Sequence, residues 1–403
     1  MATGRSLLPS LCGAIARATA GPLGTKMAVA RTLSQGHDDL VVPKEEVVRF
    51  VADCLRKVGA SPRDADVVGH HLMTADYRGH FSHGMNRVFM YVKDVQKKVT
   101  DPAGRPEVVV DFQAIAVVDG KNGMGQVIGK FCMELAIEKA KKFGIGMVAA
   151  RGSNHYGICG YYSLLAMERK MLGFTCTNTS PLMAPARSTK AALGTNPMSL
   201  GMGTDRDQFV LDMATTAVAL GKIQLAIRKE QDIPEGWALD PAGRTTTDAK
   251  LAYRTKMLMP LGGAEENSGY KGFGLALLVE VLCGVLGGSS YGPNIRLWDT
   301  GDKVANLGHC FIAVNPEAFG PGHRRRLDHL LQQLRDLPNT GKRVMVAGDP
   351  ERQAMAKVDR DGGISYHENQ IEESREMAKN LGVREMGLVR RGGGDASTGK
   401  SKL

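Results

Sequence analysis

Regularly spaced apolar residues near the start of the body of the chain predict three successive helices. The first follows Pro43 and ends near Gly59, with apolar positions recurring every third or fourth residue. The second begins after Ser61, which is followed by a proline and then by Asp64, the pattern of a capped helix that continues to about Tyr77. The third carries one apolar stripe, formed by Val88, Tyr91, Val92 and Val95.

Beyond these helices, short apolar runs alternate with helical segments, which is typical of an α/β protein. The predicted strands are residues 108–110, 115–118, 145–149, 173–177, 209–213 and 344–346. One predicted helix ends at about residue 142, and three others cover residues 161–170, 324–334 and 372–380. The longest apolar run, Gly272 to Gly292, contains Glu280 and several glycines. It predicts a buried helix and no membrane insertion, because a carboxylate in lipid costs a few kcal/mol.

Composition and charge exclude several classes of protein. Of the 403 residues, 43% are hydrophobic and 23% charged, which excludes a disordered or collagen-like chain. The net charge is +10, but seven of these charges lie before Asp38 or from Val389 onward. Because the body of the chain has no basic face interleaved with aromatic residues, nucleic-acid binding is not expected.

The two ends of the sequence resemble targeting signals. Residues 1–36 contain Arg, Ser, Thr, Ala and Leu but no Asp or Glu, as in a mitochondrial transit peptide; a merely disordered segment is the alternative. The chain ends in Ser401-Lys402-Leu403, preceded by a glycine-rich stretch, and this tripeptide is an address read by the peroxisomal import receptor. We therefore expect a soluble protein of the peroxisome, the mitochondrion or both.

A glycine-rich segment between Asp119 and Gly129 imitates a dinucleotide-binding turn. It follows a predicted strand and opens a predicted helix, but its last spacing is one residue longer than in G-x-G-x-x-G. No acidic residue follows at the usual distance to complete the unit. A structural turn at a strand-to-helix corner is therefore the favoured interpretation.

Residues 79–87 contain a group of side chains suited to acid–base chemistry. His83 has the side chain best matched to proton transfer near neutral pH, and Ser82 beside it could orient the ring or relay a proton. Arg87 could hold a carboxylate with a bidentate fork. A surface loop is one alternative. A metal site including His70, His71, Asp76 and His80 is another, but no distal set of ligands has suitable spacing, so no metal is expected.

Two further segments are candidates for binding or catalysis. Asn154 and His155 follow a predicted strand, a position where catalytic groups often lie, although a loop histidine is more often structural. Lys271 stands at the start of the long apolar helix, where backbone amides and a cation could bind an anion. A solvated lysine is the alternative there.

Several segments, taken together, resemble the malate/L-lactate dehydrogenase family that lacks a Rossmann domain. Its members also include ureidoglycolate, sulfolactate and diketogulonate dehydrogenases. The matching segments run in order from about residue 45 to 355: SHGMNR, DGKNGMGQVIG, RGSNHYG, TNTSP, LGTNPMS, FVLDMATT, SGYKGFGLALLVEVLCGVLGG and ANLGHCFIAVNP. No single segment would be specific, but the ordered set is.

The resemblance implies an α/β fold of the non-Rossmann malate/L-lactate dehydrogenase type, with its own cofactor domain and an N-terminal helical segment. It also implies a homodimer with the active site near the subunit contact. The implied reaction moves a hydride between NAD or NADP and a small 2-hydroxy acid of the malate or L-lactate type. A reductase of a cyclic imino acid or another 2-keto acid is the alternative on the same scaffold. An inactive homologue is disfavoured because the candidate histidines, Arg87 and Lys271 are all present.

We accordingly divide the chain into five segments. They are a targeting or disordered segment (1–36), an N-terminal helical region (40–120), a cofactor- and substrate-binding α/β region (121–355), a C-terminal helical region (356–388) and a flexible tail (389–403).

The resemblance also assigns roles to individual residues. His83 and His155 are the candidate acid–base groups, with Ser82 beside them, and either histidine could carry the proton. Arg87 and Asn154 are assigned to the substrate. The cofactor is assigned to Ser180, Asp212, Met213, Ala214, Lys271, Gly348 and Asp349.

Overall fold

The computed structural model describes residues 40–298, 300–301 and 303–389. The predicted targeting segment and the predicted peroxisomal tripeptide lie outside these residues. Among the described helices, none is both long enough and apolar enough to cross a membrane.

The three predicted N-terminal helices are confirmed, and they are the first three α-helices of the structure. Ser61 caps the second of them, since its hydroxyl accepts a hydrogen bond from the Asp64 backbone N–H at 3.2 Å. The α-helices are α1 (Lys44–Lys57), α2 (Pro62–Tyr77), α3 (Val88–Gln96), α4 (Gly125–Phe143), α5 (Gly160–Glu168), α6 (Leu220–Arg228), α7 (Ala249–Thr255), α8 (Gly269–Glu280), α9 (His323–Arg335), α10 (Asp349–Asp361) and α11 (Glu368–Leu381).

Seven of the strands form one central sheet, in the order β2-β3-β4-β10-β5-β6-β7, and the others form two small two-stranded pairs. The α/β fold class is thus confirmed. The strands are β1 (Leu40–Val42), β2 (Glu107–Phe112), β3 (Ile115–Asp119), β4 (Ile145–Ser153), β5 (Leu172–Thr177), β6 (Met198–Gly203), β7 (Gln208–Met213), β8 (Ala238–Leu239), β9 (Thr245–Thr246), β10 (Leu307–Val314) and β11 (Ile364–Tyr366).

The directions of the strands in the central sheet explain where its loops meet. Only β3 and β4 are parallel neighbours, joined through α4; every other adjacent pair in this sheet is antiparallel. Because β10 runs opposite to both β4 and β5, and β6 runs opposite to both β5 and β7, the strands β3, β4, β5 and β7 all point the same way. The loops that follow β4, β5 and β7 therefore emerge at one edge of the sheet.

Two apolar cores support this edge. The first joins α1, α2 and α3 with residues of α10, β11 and α11, so the two helical regions that the sequence separates pack together. The second lies between the central sheet and the helices α4 and α5, and it includes the fully buried Tyr156, Tyr162 and Phe311. The proposed boundaries between regions stay predictions.

The structure corrects two expectations and adds elements that were not predicted. Residues 344–346 form no strand; only the carbonyl of Ala347, which accepts a hydrogen bond from Val210 at 3.2 Å, joins this segment to β7. The apolar run from Gly272 is helical but not fully buried, since Leu277, Leu278 and Val285 are exposed in the single chain. The elements that were not predicted are the strands β1, β6, β8, β9, β10 and β11 and the helices α6, α7 and α10.

Candidate active site

A cavity of about 400 Å³ opens at the edge where the loops after β4, β5 and β7 emerge. Its other wall is the segment from His80 to Asp94, which ends in α3. Strand direction and helix packing thus bring together side chains that lie more than 200 residues apart in the sequence. Of the predicted site residues, the cavity is lined by Ser82, His83, Arg87, His155, Ser180, Asp212, Met213 and Ala214.

The two candidate histidines lie face to face in this cavity. Their rings are stacked with centroids 5.6 Å apart and an interplanar angle of 22°. Nδ1 of His83 lies 2.8 Å from the Ser82 hydroxyl, and Nδ1 of His155 lies 2.8 Å from the Tyr91 hydroxyl. Each hydroxyl orients its ring through Nδ1. Because no described residue forms a hydrogen bond with Nε2 of either histidine, this atom is available to a ligand.

Both imidazoles are held in the neutral form. Burial lowers the pKa of His83 to about 3, and the nearby cation Arg87 adds to this effect. Burial also lowers the pKa of His155 well below its usual value, with a further contribution from His83. A neutral imidazole can accept a proton from a substrate hydroxyl, so either ring can act as a general base.

Arg87 is a half-buried cation that forms no ion pair with an acidic side chain among the described residues. Its Nε donates to the backbone carbonyl of Ser82 at 2.6 Å, and the guanidinium lies 5.8 Å from the centre of the Trp298 ring. Burial lowers the pKa of its guanidinium, which means that the charge is poorly solvated where it stands. An anionic ligand in the cavity would compensate this charge.

The predicted cofactor residues fall into two groups. Ser180 and the segment from Asp212 to Ala214 line the cavity, and the Asp212 carboxylate accepts a hydrogen bond from the Gly160 backbone N–H at 2.7 Å. Burial raises the pKa of Asp212. Lys271 is exposed at the start of α8 and does not line the cavity of this chain.

Gly348 and Asp349 do not line the cavity either. The Asp349 carboxylate pairs with Arg335 and Arg352 and accepts a hydrogen bond from the Val346 backbone N–H at 2.9 Å. Burial alone would raise the pKa of Asp349, but these hydrogen bonds hold it well below its usual value. A structural ion pair at the start of α10 accounts for this residue in the single chain, and its assignment to the cofactor stays a prediction.

Asn154 is buried beneath the cavity and does not line it. Its amide donates to the Gly123 carbonyl at 2.8 Å and to the Asn122 side chain at 3.1 Å, so it fastens the glycine-rich turn. A Cβ on Gly129 would lie 2.6 Å from the Tyr162 ring, and one on Gly125 would overlap the backbone of the loop after β4. Close packing of α4 therefore explains these glycines, in agreement with the structural interpretation of the turn.

Among the residues that line or support the cavity, three were not assigned to the site from sequence although they matter to it. Tyr91, which orients His155, belongs to an apolar helical stripe and gives no separate signal. Arg296 and Trp298 line the cavity from the loop before β10. A cation two positions from one of only two tryptophans was the available sequence signal.

The cavity residues suit a nicotinamide cofactor together with a small acid. His80 lines the cavity, and its Nε2 is buried 3.6 Å from the Glu351 carboxylate, with no hydrogen-bond partner in the described part of the chain. A polar group of a bound dinucleotide would satisfy it. Within the part of the chain that the structure describes, no group of three or more His, Cys, Asp or Glu side chains could hold a metal ion.

Known proteins resemble this chain along most of its length. A protein named malate dehydrogenase from Pyrococcus abyssi is 37% identical over 85% of this chain and 95% of its own. One named L-sulfolactate dehydrogenase from Methanocaldococcus jannaschii is 37% identical over 85% of this chain and 98% of its own. The solved structure of malate dehydrogenase from Pyrococcus horikoshii OT3 has a TM-score of 0.80 and 34% identity, covering 86% of this chain and 97% of its own.

The cofactor class is also consistent among relatives. Similar proteins include a ureidoglycolate dehydrogenase (NAD(+)) from Escherichia coli K12, 31% identical over 73% of this chain and 82% of its own. The family model described as malate/L-lactate dehydrogenase matches residues 42–374. The predicted enzyme class, an NAD(P)-dependent 2-hydroxy acid dehydrogenase, is confirmed at this level. The chain belongs to the malate/L-lactate dehydrogenase family.

Proposed function

We propose that this cavity oxidises a small 2-hydroxy acid of the malate or L-lactate type and reduces the matching 2-keto acid. The observation that carries the proposal is the placement of Arg87, a half-buried cation with no acidic partner among the described residues, in one cavity with two neutral, stacked histidines. A carboxylate needs such a cation, and the hydroxyl beside it needs such a base.

The residues divide the work of the reaction in a simple way. Arg87 binds the substrate carboxylate with two parallel hydrogen bonds, which fixes the position of C2. Nε2 of one histidine accepts the hydroxyl proton as C2 becomes a carbonyl carbon. In the reverse direction the same imidazolium returns the proton to the carbonyl oxygen. Ser180 and the segment Asp212–Ala214 would hold the nicotinamide cofactor, which when bound would supply the hydride-transfer chemistry.

We assign the proton transfer to His83 and a carbonyl- or carboxylate-binding role to His155. Ser82 and His83 lie on the same short segment as Arg87, so the base and the carboxylate site keep a fixed relation. His155 is fastened from α3 by Tyr91, and its Nδ1 also lies 3.4 Å from the Gly157 backbone N–H. Both contacts restrain the ring and suit it to positioning.

Kinetics on two alanine variants test this assignment. L-malate, L-lactate and a cyclic imino acid are each assayed with both nicotinamide cofactors. His83→Ala should slow turnover by about 10²–10⁴, the usual contribution of a positioned proton carrier, with cofactor affinity nearly unchanged. His155→Ala should raise KM more than it lowers kcat. The reverse pattern would assign the proton transfer to His155. Turnover of only the imino acid would favour the reductase alternative.

That alternative has one specific support. The solved structure titled delta1-piperideine-2-carboxylate reductase from Pseudomonas syringae has a TM-score of 0.75 and 25% identity to this chain, and it covers 84% of this chain. The carboxylate site at Arg87 would serve either substrate, so only the panel of substrates separates the two reactions.

We also propose a homodimer. The helix α8 and the π-helical turn after it, Val281–Val285, leave a row of large apolar side chains exposed in the single chain. Contiguous apolar surface of this kind marks interaction sites. The exposed members of the row are Tyr270, Leu277, Leu278, Val281, Val285 and Leu286. Light scattering should give twice the chain mass, and Leu278→Glu should lower it; a monomeric wild-type protein would refute the proposal.

A further inference from the structure

Arg296 places a second cationic group in the same cavity as Arg87. Its side chain is 93% buried, and one end of its guanidinium pairs with the Asp94 carboxylate through Nη2 at 2.9 Å. The other terminal nitrogen, Nη1, is buried and has no hydrogen-bond partner among the residues that the structure describes. Leaving a buried donor unsatisfied costs about 1–3 kcal/mol, and more for a charged group, so such atoms mark sites that a ligand completes.

The loop that carries Arg296 is held in position. The Ser180 hydroxyl donates to the backbone carbonyl of Arg296 at 2.7 Å, which ties this loop to the segment after β5. Trp298, two residues later, lies against the Arg87 guanidinium. Both arginines therefore border the same cavity.

Helix α3, which begins directly after Arg87, relates this arginine to Asp94, the partner of Arg296. Arg87, Met90 and Asp94 line the cavity at intervals of three and four residues, so they share one face of this helix. A rise of about 1.5 Å per residue puts Asp94, the partner of Arg296, about 10 Å along the axis from Arg87. Arg87 and the Asp94–Arg296 pair therefore border the cavity at separate positions, so a small acid with an anionic group at each end can contact both guanidinium groups.

We propose that Arg296 binds a second anionic group on the substrate, carried by C3, and so selects dianionic 2-hydroxy acids over L-lactate. This inference rests on the proposed function, because it assumes that Arg87 holds the carboxylate on C2. A carboxylate and a sulfonate share the required charge and acceptor oxygens, and L-malate and 3-sulfolactate distinguish them. The pairing with Asp94 leaves only one end of the guanidinium available, so this subsite offers one donor nitrogen and no full fork.

Two variants with opposite expected effects test the proposal in the full-length chain at saturating cofactor. Arg296→Met should lower the ratio of kcat/KM for L-malate over L-lactate by about 10–100-fold, the loss of one hydrogen bond to a charged group. Asp94→Asn should raise that ratio, because it keeps the shape but removes the competing anion. Arg49→Met, which removes an ion-paired arginine of α1, is the control and should leave the ratio unchanged.

The same variants separate failure of the subsite from failure of the proposed function. Calorimetry with succinate and butyrate, unreactive acids with two and one carboxylates, reads the subsite without turnover. The wild-type protein should prefer succinate, and Arg296→Met should abolish that preference. The same preference for succinate over butyrate in both proteins would overturn the proposal even if the wild-type protein oxidises L-malate. An unchanged malate-to-lactate ratio with a raised cofactor KM would also overturn it and would assign Arg296 to a cofactor phosphate.

Discussion

Asp76 on α2 is a buried carboxyl group that supports the catalytic segment. Its Oδ2 accepts hydrogen bonds from the Met85 backbone N–H at 2.8 Å and from the Tyr366 hydroxyl at 2.7 Å, while Oδ1 is buried and has no partner among the described side chains and backbone groups. Met85 lies between His83 and Arg87. Asp76 thus joins the segment that carries both residues to the core shared by the N-terminal and C-terminal helices.

Burial raises the pKa of Asp76 from 3.8 to about 7, against the two hydrogen bonds that favour its ionised form. The folded state therefore holds a proton at pH values where the unfolded state has released it. Stability should fall as pH rises from about 4 to about 7 and change little from this group above that. The titration of Asp76 lowers the free energy of unfolding by about 4 kcal/mol in total, of which roughly 2–3 kcal/mol is lost between pH 5 and pH 8.

Replacing Asp76 with asparagine removes this titration but keeps the size of the side chain. The amide adds a constant cost for a buried donor, of about 1–3 kcal/mol, which is the same at every pH. The free energy of unfolding of Asp76→Asn and of the wild-type protein is measured with urea at pH 5 and at pH 8. The difference between variant and wild type should shift by roughly 2–3 kcal/mol in favour of the variant from pH 5 to pH 8.

Asp64→Asn is the matched control for this measurement. Asp64 is also a buried acid of α2, but it pairs with Arg105 at 2.6 Å. Its replacement breaks an ion pair and should destabilise the protein at both pH values. Parallel pH profiles for the wild-type protein and Asp76→Asn would refute the reasoning, because they would mean that Asp76 is ionised in the folded state throughout this range.

Three further outcomes are expected. Gly129→Ala should cost about 1–3 kcal/mol in urea unfolding, because a Cβ would lie 2.6 Å from a buried tyrosine ring, whereas Gly274→Ala, with no neighbour within 4 Å, should not destabilise. Arg87→Lys keeps the charge but loses the bidentate fork, so kcat/KM for a 2-hydroxy acid should fall at least 10-fold; a near-normal value would contradict the carboxylate clamp. A fluorescent protein ending in residues 392–403 should collect in peroxisomes, and a diffuse signal would contradict the predicted address.

Local sequence signals predicted the parts of the fold that depend on local physics. The cap at Ser61 and the apolar stripes predicted α1, α2 and α3, since both act within one or two helical turns. The strand β10 was missed because it is buried in the middle of the sheet, so its apolar residues show no alternation. The false strand at residues 344–346 shows the converse, because apolar residues without a pairing partner form no ladder.

The sequence by itself determined the family, the class of chemistry and most of the polar residues of the site, because ordered motifs and residue types carry that information. Only the tertiary structure decided which of those residues meet. Strand direction brings the loops after β4, β5 and β7 to one edge, so His83 and His155 stack while Asn154, one residue away, is turned under the glycine-rich turn. The tertiary structure also decided that Arg296 and Arg87 line the same cavity. Packing across the cavity and burial of charge depend on residues about 200 positions apart, which no local sequence signal relates.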